Sequence, residues 1–351
     1  MQDVSVLSLA TASPPYVIEQ DTVAELAPQV FPELFQRYPV MLDIFRNSGI
    51  ERRRTIRPIE WYLAPHDWSD RSEVFQTEGL ALFRAAAETA IARAGIEPKE
   101  IDLVITICSS GITTPSLEAH ALPYLRLRSD VRRVPIFGLG CAGGVSGLSI
   151  AARLAAAQPG ATALVVVLEL CSLAFRLDRG TKEDAVAAAL FADGAAALVL
   201  RADSGNGLGS VRGAAEYTWP DTLDIMGWTF DPVGFGVVLS RSVPIFVDRR
   251  FPTAAKRLLA SADVSRAEVE RFVCHPGGGR VVDALERALA LPRGALDHER
   301  EVLREYGNMS APTVLFVLER VLNAAPNGTL ALSALGPGFT ASLLVLEAHR
   351  A

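Results

Sequence analysis

From residue 78 onward, apolar positions recur at helical spacing and then at strand spacing. "EGLALFRAAAETAIARAGI" (78–96) places apolar residues three and four apart and predicts a helix ending at Gly95. "IDLVITICSSG" (101–111) is an unbroken apolar run leading into a turn, the pattern of a buried strand. "SLEAHALPYLRLR" (116–128) returns to helical spacing, interrupted by Pro123. "RVPIFGLG" (133–140) predicts a strand, "AGGVSGLSIAARLAAAQPG" (142–160) a helix stopped at Pro159-Gly160, and "ATALVVVLEL" (161–170) a second buried strand. This alternation predicts an α/β fold with buried sheets. The first 70 residues are less periodic and richer in aromatics, and are expected to cover that framework.

The pattern also repeats. At an offset of 167, Gly140 meets Gly307, Arg153 meets Arg320, Pro159 meets Pro326 and Thr162 meets Thr329, and Cys141 falls on Asn308. At an offset of 166, "ICSSG" (107–111) meets "VCHPG" (273–277); at 146, "LVL" (198–200) meets "LVL" (344–346). The shared order predicts two duplicated α/β halves, residues 1–212 and 213–351, with equivalent turns converging on one pocket. Those turns carry Cys141, His275 and Asn308.

Composition narrows the function. The 351 residues are half hydrophobic and carry a formal net charge of −6, with no basic block beyond "ERRR" (51–54), so nucleic acid is not an expected partner. No apolar run is long enough to span a bilayer, and the amino terminus lacks the basic start and long apolar core of a signal peptide; a cytoplasmic enzyme is expected. Four cysteines (108, 141, 171, 274) show no metal-ligand spacing, and no metal is expected.

Cys141 stands apart because it lies in "GLGCAGGVSG" (138–147), between a strand and a helix. A thiol at a helix start is favoured as thiolate, and a neighbouring imidazolium would favour it further. Glycines allow a sharp turn and close approach of substrate. An asparagine amide can donate to a developing oxyanion. His275 ends an apolar run ahead of "PGGGR", unlike His66, His120, His298 and His349 in helical or polar surroundings. Cys141, His275 and Asn308 together suit acyl transfer through a thioester with carbon–carbon bond formation. The competing reading takes Gly138-x-Gly140-x-x-Gly143 as a dinucleotide loop, with Glu169 as the acid at the end of the next strand; this would make the chain an NAD-dependent oxidoreductase. It leaves "CHPGGGR" and "YGNMS" without a role.

"GLGCAGG", "CHPGGGRVVDAL", "YGNMSAPTVLFVLERV" and "LSALGPGFT", in that order, resemble the type III polyketide synthases, relatives of chalcone synthase in the thiolase superfamily. The resemblance covers nearly the whole chain and implies a thiolase-like, layered αβαβα core. A type III ketoacyl synthase shares the Cys-His-Asn logic, but usually carries a His-Gln-Ala-Asn-like stretch where this chain has His275-Pro276-Gly277-Gly278. The resemblance implies that Cys141 carries a starter acyl group while His275 and Asn308 hold the malonyl-CoA carbonyl during decarboxylation. It implies CoA thioesters as substrates and no cofactor.

The resemblance also assigns Phe191 to a gate over the pocket, ordinary strand packing being the alternative. The second gate falls at Val237, with Phe235 two residues away. Pocket walls fall at Ser109, Ala174, Ser310 and the Gly336-Pro337-Gly338-Phe339 segment. Thr114 stands where plant relatives push a methionine into the partner's cavity. The CoA-gripping basic positions hold Val40, Asp43 and Asn47; Arg46, Arg52, Arg53 and Arg54 lie close by as substitutes, or simply as a solvated basic turn. "GIERRRTIRPIEWYLAPHDW", "ELCSLAFRLD" and "MGWTFDPVGFGVVLSRSVP" resemble bacterial alkylresorcinol and alkylpyrone synthases, which implies a fatty acyl starter. Delivery on CoA or on an acyl carrier protein stays open, and a homodimer is expected.

Overall fold

The unbroken apolar runs form the inner strands, and the helical repeats form layers on either side. The computed structural model describes residues 4–349. The amino-terminal region contributes β1 (Val4–Ala12), β2 (Tyr16–Glu19), α1 (Gln20–Val30), α2 (Pro32–Arg37), α3 (Asp43–Asn47), β3 (Arg52–Thr55) and α4 (Ile59–Tyr62). The first half continues through α5 (Trp68–Ala94), β4 (Leu103–Ile107), α6 (Leu117–Leu125), β5 (Arg132–Ile136), α7 (Gly143–Ala156), β6 (Thr162–Leu170), α8 (Lys182–Leu190) and β7 (Asp193–Ala202). The second contains β8 (Gly209–Thr218), β9 (Met226–Asp231), β10 (Gly234–Leu239), α9 (Val243–Ser261), β11 (Val269–Cys274), α10 (Gly279–Ala288), α11 (Asp297–Tyr306), α12 (Thr313–Asn323), β12 (Gly328–Gly336) and β13 (Thr340–Ala348).

Local chemistry sets these boundaries. The Asp67 carboxylate accepts from Asp70 N–H and starts α5; Gly95, at φ 64°, ends it in the left-handed conformation that glycine adopts without strain. All nine residues of β6 are buried, as the apolar run Ala163–Leu168 requires of a strand covered on both faces, with Thr162 and Glu169 the polar exceptions. Burying a Val or Leu side chain there is worth about 1.5–3 kcal/mol. Helix α6 runs through Pro123 and ends two residues later, where Arg126 takes a left-handed conformation, so the proline does not interrupt it.

Strand order displays the duplication. The first half reads β5-β4-β6-β7-β1 and the second β11-β12-β13-β8. Strands β4 and β6 are parallel, β6/β7 and β7/β1 antiparallel; β11 and β12 are parallel, β12/β13 and β13/β8 antiparallel. Hence β4 corresponds to β11, β6 to β12, β7 to β13 and β1 to β8, while β5 has no counterpart. The two half-sheets join edge to edge where Ser5 and Val6 of β1 meet Ser210 and Gly209 of β8. Strand β1 therefore lies at the centre of the continuous nine-stranded sheet rather than in a covering region, which begins after it. Its small-residue run, "VSVLSLATA", lacks a strong hydrophobic signature but is buried along most of its length.

Helices α7 and α12 lie between the two half-sheets and share one core with both; α5 and α6 cover the outer face of the first, α9 and α10 that of the second. The result is the αβαβα layering. Close contact in the central layer explains the glycines after Cys141: a Cβ on Gly144 would lie 2.3 Å from the Ala311 carbonyl oxygen.

Candidate active site

Strand β5 delivers the chain to the turn that carries Cys141. Ser109, just beyond the end of β4, accepts hydrogen bonds at its hydroxyl from Gly138 N–H (3.2 Å) and Gly140 N–H (2.9 Å). Gly140, at φ 48°, turns the chain under Pro337; a Cβ there would approach that ring to 2.6 Å. Cys141 lies in the short 3-10 turn that leads into α7. Ser109 itself is held by Glu169, whose two oxygens each accept from Ser109 N–H at 3.1 Å. Thus Ser109 braces the cysteine turn and does not line the cavity, contrary to its assignment as a pocket wall. The same contacts remove the dinucleotide reading. Gly140 packs under Pro337 and Gly143 against Ile107 and Ala311, so these glycines serve close packing, and Glu169, the acid that reading needs for a ribose, is buried beneath Ser109.

The second half supplies the facing residues. His275 extends the β11/β12 ladder through its N–H to Ser333 (2.8 Å), while both ring nitrogens are buried without a partner. Asn308 follows Gly307 at the end of α11. Its N–H donates to Leu190 O and its carbonyl accepts from Ala192 N–H, both at 2.9 Å, which ties it to the segment carrying Phe191. Its side-chain oxygen accepts from Ser310 N–H (2.8 Å), and its amide nitrogen donates to Gly277 O (3.2 Å). This orients the NH2 group as the available donor.

Cys141, His275 and Asn308 line one cavity of ≈ 360 Å³, together with Phe191, Val237, Ser310 and Pro337. Burial pushes the Cys141 thiol up to about 11, and the Ser310 hydroxyl draws it partly back. Burial alone pushes His275 down to about 4. Burial thus opposes the charge on both groups and works against the thiolate–imidazolium pairing that the helix start alone would favour.

Other assignments are redistributed. Only Pro337 of its segment reaches the cavity. Gly336 packs on Ala142, Gly338 forms the β12–β13 turn at φ 113°, and Phe339 is buried against Trp219 and Phe246 in the outer core of the second half. Phe235 does not reach the cavity either; it packs against Trp68, Trp228 and Phe230. Ala174 lines a second, apolar cavity of ≈ 90 Å³, which shares Cys171 and Phe191 with the first. Thr114 is exposed at the surface of the single chain, outside the cavity.

Arg53 is 4% exposed and donates to the carbonyls of Ala188, Ala189 and Phe191 at the end of α8 and to Gln20. It braces the Phe191 segment and cannot reach a substrate phosphate. Arg46, Arg52 and Arg54 lie outside both cavities, and Arg46 faces Asp43.

Several lining residues escaped the sequence reading. Trp228 pairs with Val237 across the β9–β10 hairpin, and its ring stands 5.9 Å edge-on to Phe191. Counting outward from the "DPVG" turn would have placed it opposite Val237. Cys171 lines both cavities. Arg241 and Arg280 are the only Lys, Arg, Asp or Glu residues lining the larger cavity among the described residues. Among those residues there is no cluster of three or more potential metal ligands and no helix long and apolar enough to cross a membrane.

Comparison with known proteins agrees with this geometry. Models of the chalcone and stilbene synthases match residues 62–204 (N-terminal domain) and 211–349 (C-terminal domain). A putative chalcone synthase of Bacillus subtilis (strain 168) is 33% identical over 97% of this chain and 98% of its own. A 1,3,6,8-tetrahydroxynaphthalene synthase of Streptomyces peucetius subsp. caesius is 35% identical over 98% and 93%. The crystal structure of the tetrahydroxynaphthalene synthase of Streptomyces coelicolor A3(2) superposes with a TM-score of 0.93 at 28% identity, covering 99% of this chain and 100% of that one. Since both halves match and the likeness runs nearly end to end, the chain belongs to the chalcone and stilbene synthase family, the type III polyketide synthases, which condense malonyl-CoA with loss of carbon dioxide.

Proposed function

We propose that this polyketide synthase loads a fatty acyl starter on Cys141, extends it with malonyl-CoA, and closes the product to an alkylresorcinol or alkylpyrone. Cys141 Sγ attacks the starter thioester carbonyl; the bond to the CoA sulfur breaks, and His275 passes the thiol proton to the departing CoA thiolate. Malonyl-CoA then binds with its thioester oxygen against His275 and the Asn308 amide. Its carboxylate leaves as carbon dioxide, and the electron pair is held as an enolate at those donors. The enolate carbon attacks the acyl carbon, Cys141 departs as thiolate, and the lengthened chain on CoA can return to the thiol. These steps need no metal, flavin or nicotinamide.

The observation that carries the mechanism is a buried, unpartnered imidazole on the same cavity as a thiol and an oriented amide. The alkyl starter rests on the smaller cavity, whose lining includes Val23, Leu26, Val30, Phe31, Ala174 and Phe175. Each methylene buried there contributes about 0.8 kcal/mol. The relatives named for tetrahydroxynaphthalene make a product without an alkyl chain, so the starter is the point to test. Products formed from malonyl-CoA with a panel of acyl-CoA starters should be identified by mass. Chains of roughly ten carbons should outcompete acetyl-CoA, and Ala174→Phe should shorten the preferred chain while malonyl-CoA decarboxylation persists. Preference for acetyl-CoA, or for malonyl-CoA alone, refutes the alkyl starter.

Two copies of the chain are also proposed to pair through the first half. Ile112 and Phe137, 51% and 48% exposed, lie beyond the ends of neighbouring strands β4 and β5 at the sheet edge. Sedimentation at micromolar concentration should give a dimer; a monomer contradicts the pairing.

A further inference from the structure

The β9–β10 hairpin stands apart from the nine-stranded sheet and forms a two-stranded sheet of its own. It belongs to the second half, and its base is closed by Ser240 N–H donating to Ile225 O at 2.8 Å. Its tip, however, is fastened to the first half. The Asp231 carboxylate divides its oxygens between two tasks. Oδ1 accepts from Val233 N–H (2.9 Å) and Gly234 N–H (3.3 Å) and shapes the turn. Oδ2 accepts from Arg176 Nη1 at 2.5 Å. Arg176 is 4% exposed and directly follows the segment that carries Cys171, Ala174 and Phe175 along the cavity walls. Its remaining donors go to Asp178, in its own loop. Phe235 adds a ring contact to Trp68 of α5, centroids 5.2 Å apart. Gly236 leaves room for Arg179, whose Nη1 would lie 1.7 Å from a Cβ at that position. Trp228 stands three residues before Asp231, about 10 Å along the strand. Its ring meets Phe191, which borders both cavities.

We propose that the Arg176–Asp231 ion pair is a specificity latch: it fixes the hairpin so that Trp228 holds the Phe191 ring where the two cavities meet, and so limits which acyl chains reach the smaller one. This rests on the polyketide synthase reading with an acyl starter and adds positioning residues remote from the reacting atoms. A two-stranded hairpin is marginally stable by itself in water, so its placement depends on what it is tied to. The planar fork of Arg176 serves Asp178 and Asp231 together in a fixed geometry that a lysine ammonium would not reproduce. Releasing the tip gives Phe191 room to turn while Cys141, His275 and Asn308 stay in place.

Asp231→Asn is the selective variant: its Oδ1 still shapes the turn, but its NH2 group faces Arg176 in place of a carboxylate oxygen. Asp178→Asn is the control, since it removes the other partner of Arg176 and leaves the hairpin alone. In hydrogen exchange followed by mass spectrometry, Asp231→Asn should speed exchange across residues 226–239 by about three- to tenfold, and Asp178→Asn should not. In turnover, the ratio of kcat/KM for a straight-chain to a phenyl-bearing acyl-CoA should fall by roughly three- to tenfold in Asp231→Asn. Malonyl-CoA decarboxylation should stay within about twofold of the wild type, because the reacting groups do not move. Trp228→Ala should relax the same ratio, and adding Asp231→Asn to it should change little more, as expected of two residues acting through one ring. Unchanged exchange, an unchanged ratio, an equal change in Asp178→Asn, or full additivity with Trp228→Ala overturns the latch. A wild type that consumes neither malonyl-CoA nor any acyl-CoA counts instead against the polyketide synthase reading, and the exchange comparison then decides the latch by itself.

Discussion

Ser109 and His275 stand at equivalent places in the two halves, each following a parallel strand, β4 or β11, and yet their side chains do opposite things. The Ser109 hydroxyl is consumed by architecture, accepting two backbone N–H groups of the cysteine turn. The His275 ring accepts and donates nothing and faces the cavity. The first half thus spends a polar group to aim one nucleophile, and the second leaves a polar group unspent for a ligand. Each half also buries a carboxyl near its strand end: Glu169 receives Ser109 N–H, and Glu299 receives Cys274 N–H at 2.8 Å. Duplication supplied the frame; function came from which side chains were left without a partner.

The largest effect should fall on the nucleophile. Cys141→Ala should lower condensation by roughly 10⁴-fold or more with the fold retained. Iodoacetamide should label Cys141 before Cys108 and Cys274, whose thiols burial holds far above their ordinary range. Equal labelling, read by peptide mass spectrometry, would dissolve the distinction between the aimed thiol and the structural ones.

A paired substitution sharpens the comparison. His275→Ala should cut malonyl-CoA decarboxylation by about 10²–10³-fold while leaving thermal stability unchanged or higher, since an unpartnered buried imidazole is removed. Ser109→Ala should do the reverse. It strands two N–H donors at a cost of about 1–3 kcal/mol and lowers melting temperature, with a loss of activity well below that of His275→Ala. If the two variants lose stability and activity in the same proportions, the division of labour between the halves is wrong.

The smallest effect concerns pH. Burial raises Glu299 to about 7, so the folded chain keeps a proton there that the unfolded chain releases near its ordinary value of 4.5. Its contribution to stability is present below about 4.5 and is lost as pH rises through about 7. Relative to Glu299→Gln, the wild type should therefore lose on the order of 1–3 kcal/mol between pH 5 and 8, measured by urea unfolding. A constant difference would mean that Glu299 titrates normally.

Much of this was legible in the amino-acid sequence. Periodicity located α5, β4, α7 and β6 because those segments are buried, and burial imposes an apolar pattern with the period of the backbone. The repeat revealed the duplicated halves, and Cys141, His275 and Asn308 were marked by the turns around them. What the sequence left undetermined depends on which surfaces meet. Arg53 reads as a basic surface residue until the end of α8 closes over it. Ser109 reads as a pocket wall until the cysteine turn claims its hydroxyl, and Phe339 until Trp219 and Phe246 enclose it. Trp228 and Phe191 are 37 positions apart in the chain, and only the β9–β10 hairpin lying across the cavity brings their rings together. The upward pull on the Cys141 thiol and the downward pull on the His275 ring are likewise tertiary: residue type sets the ordinary pKa, but burial by distant segments sets the shift. Local sequence determines the elements because backbone hydrogen bonding and side-chain periodicity act over a few residues. The cavity and its spent or unspent polar groups are decided only when segments hundreds of residues apart exclude water together.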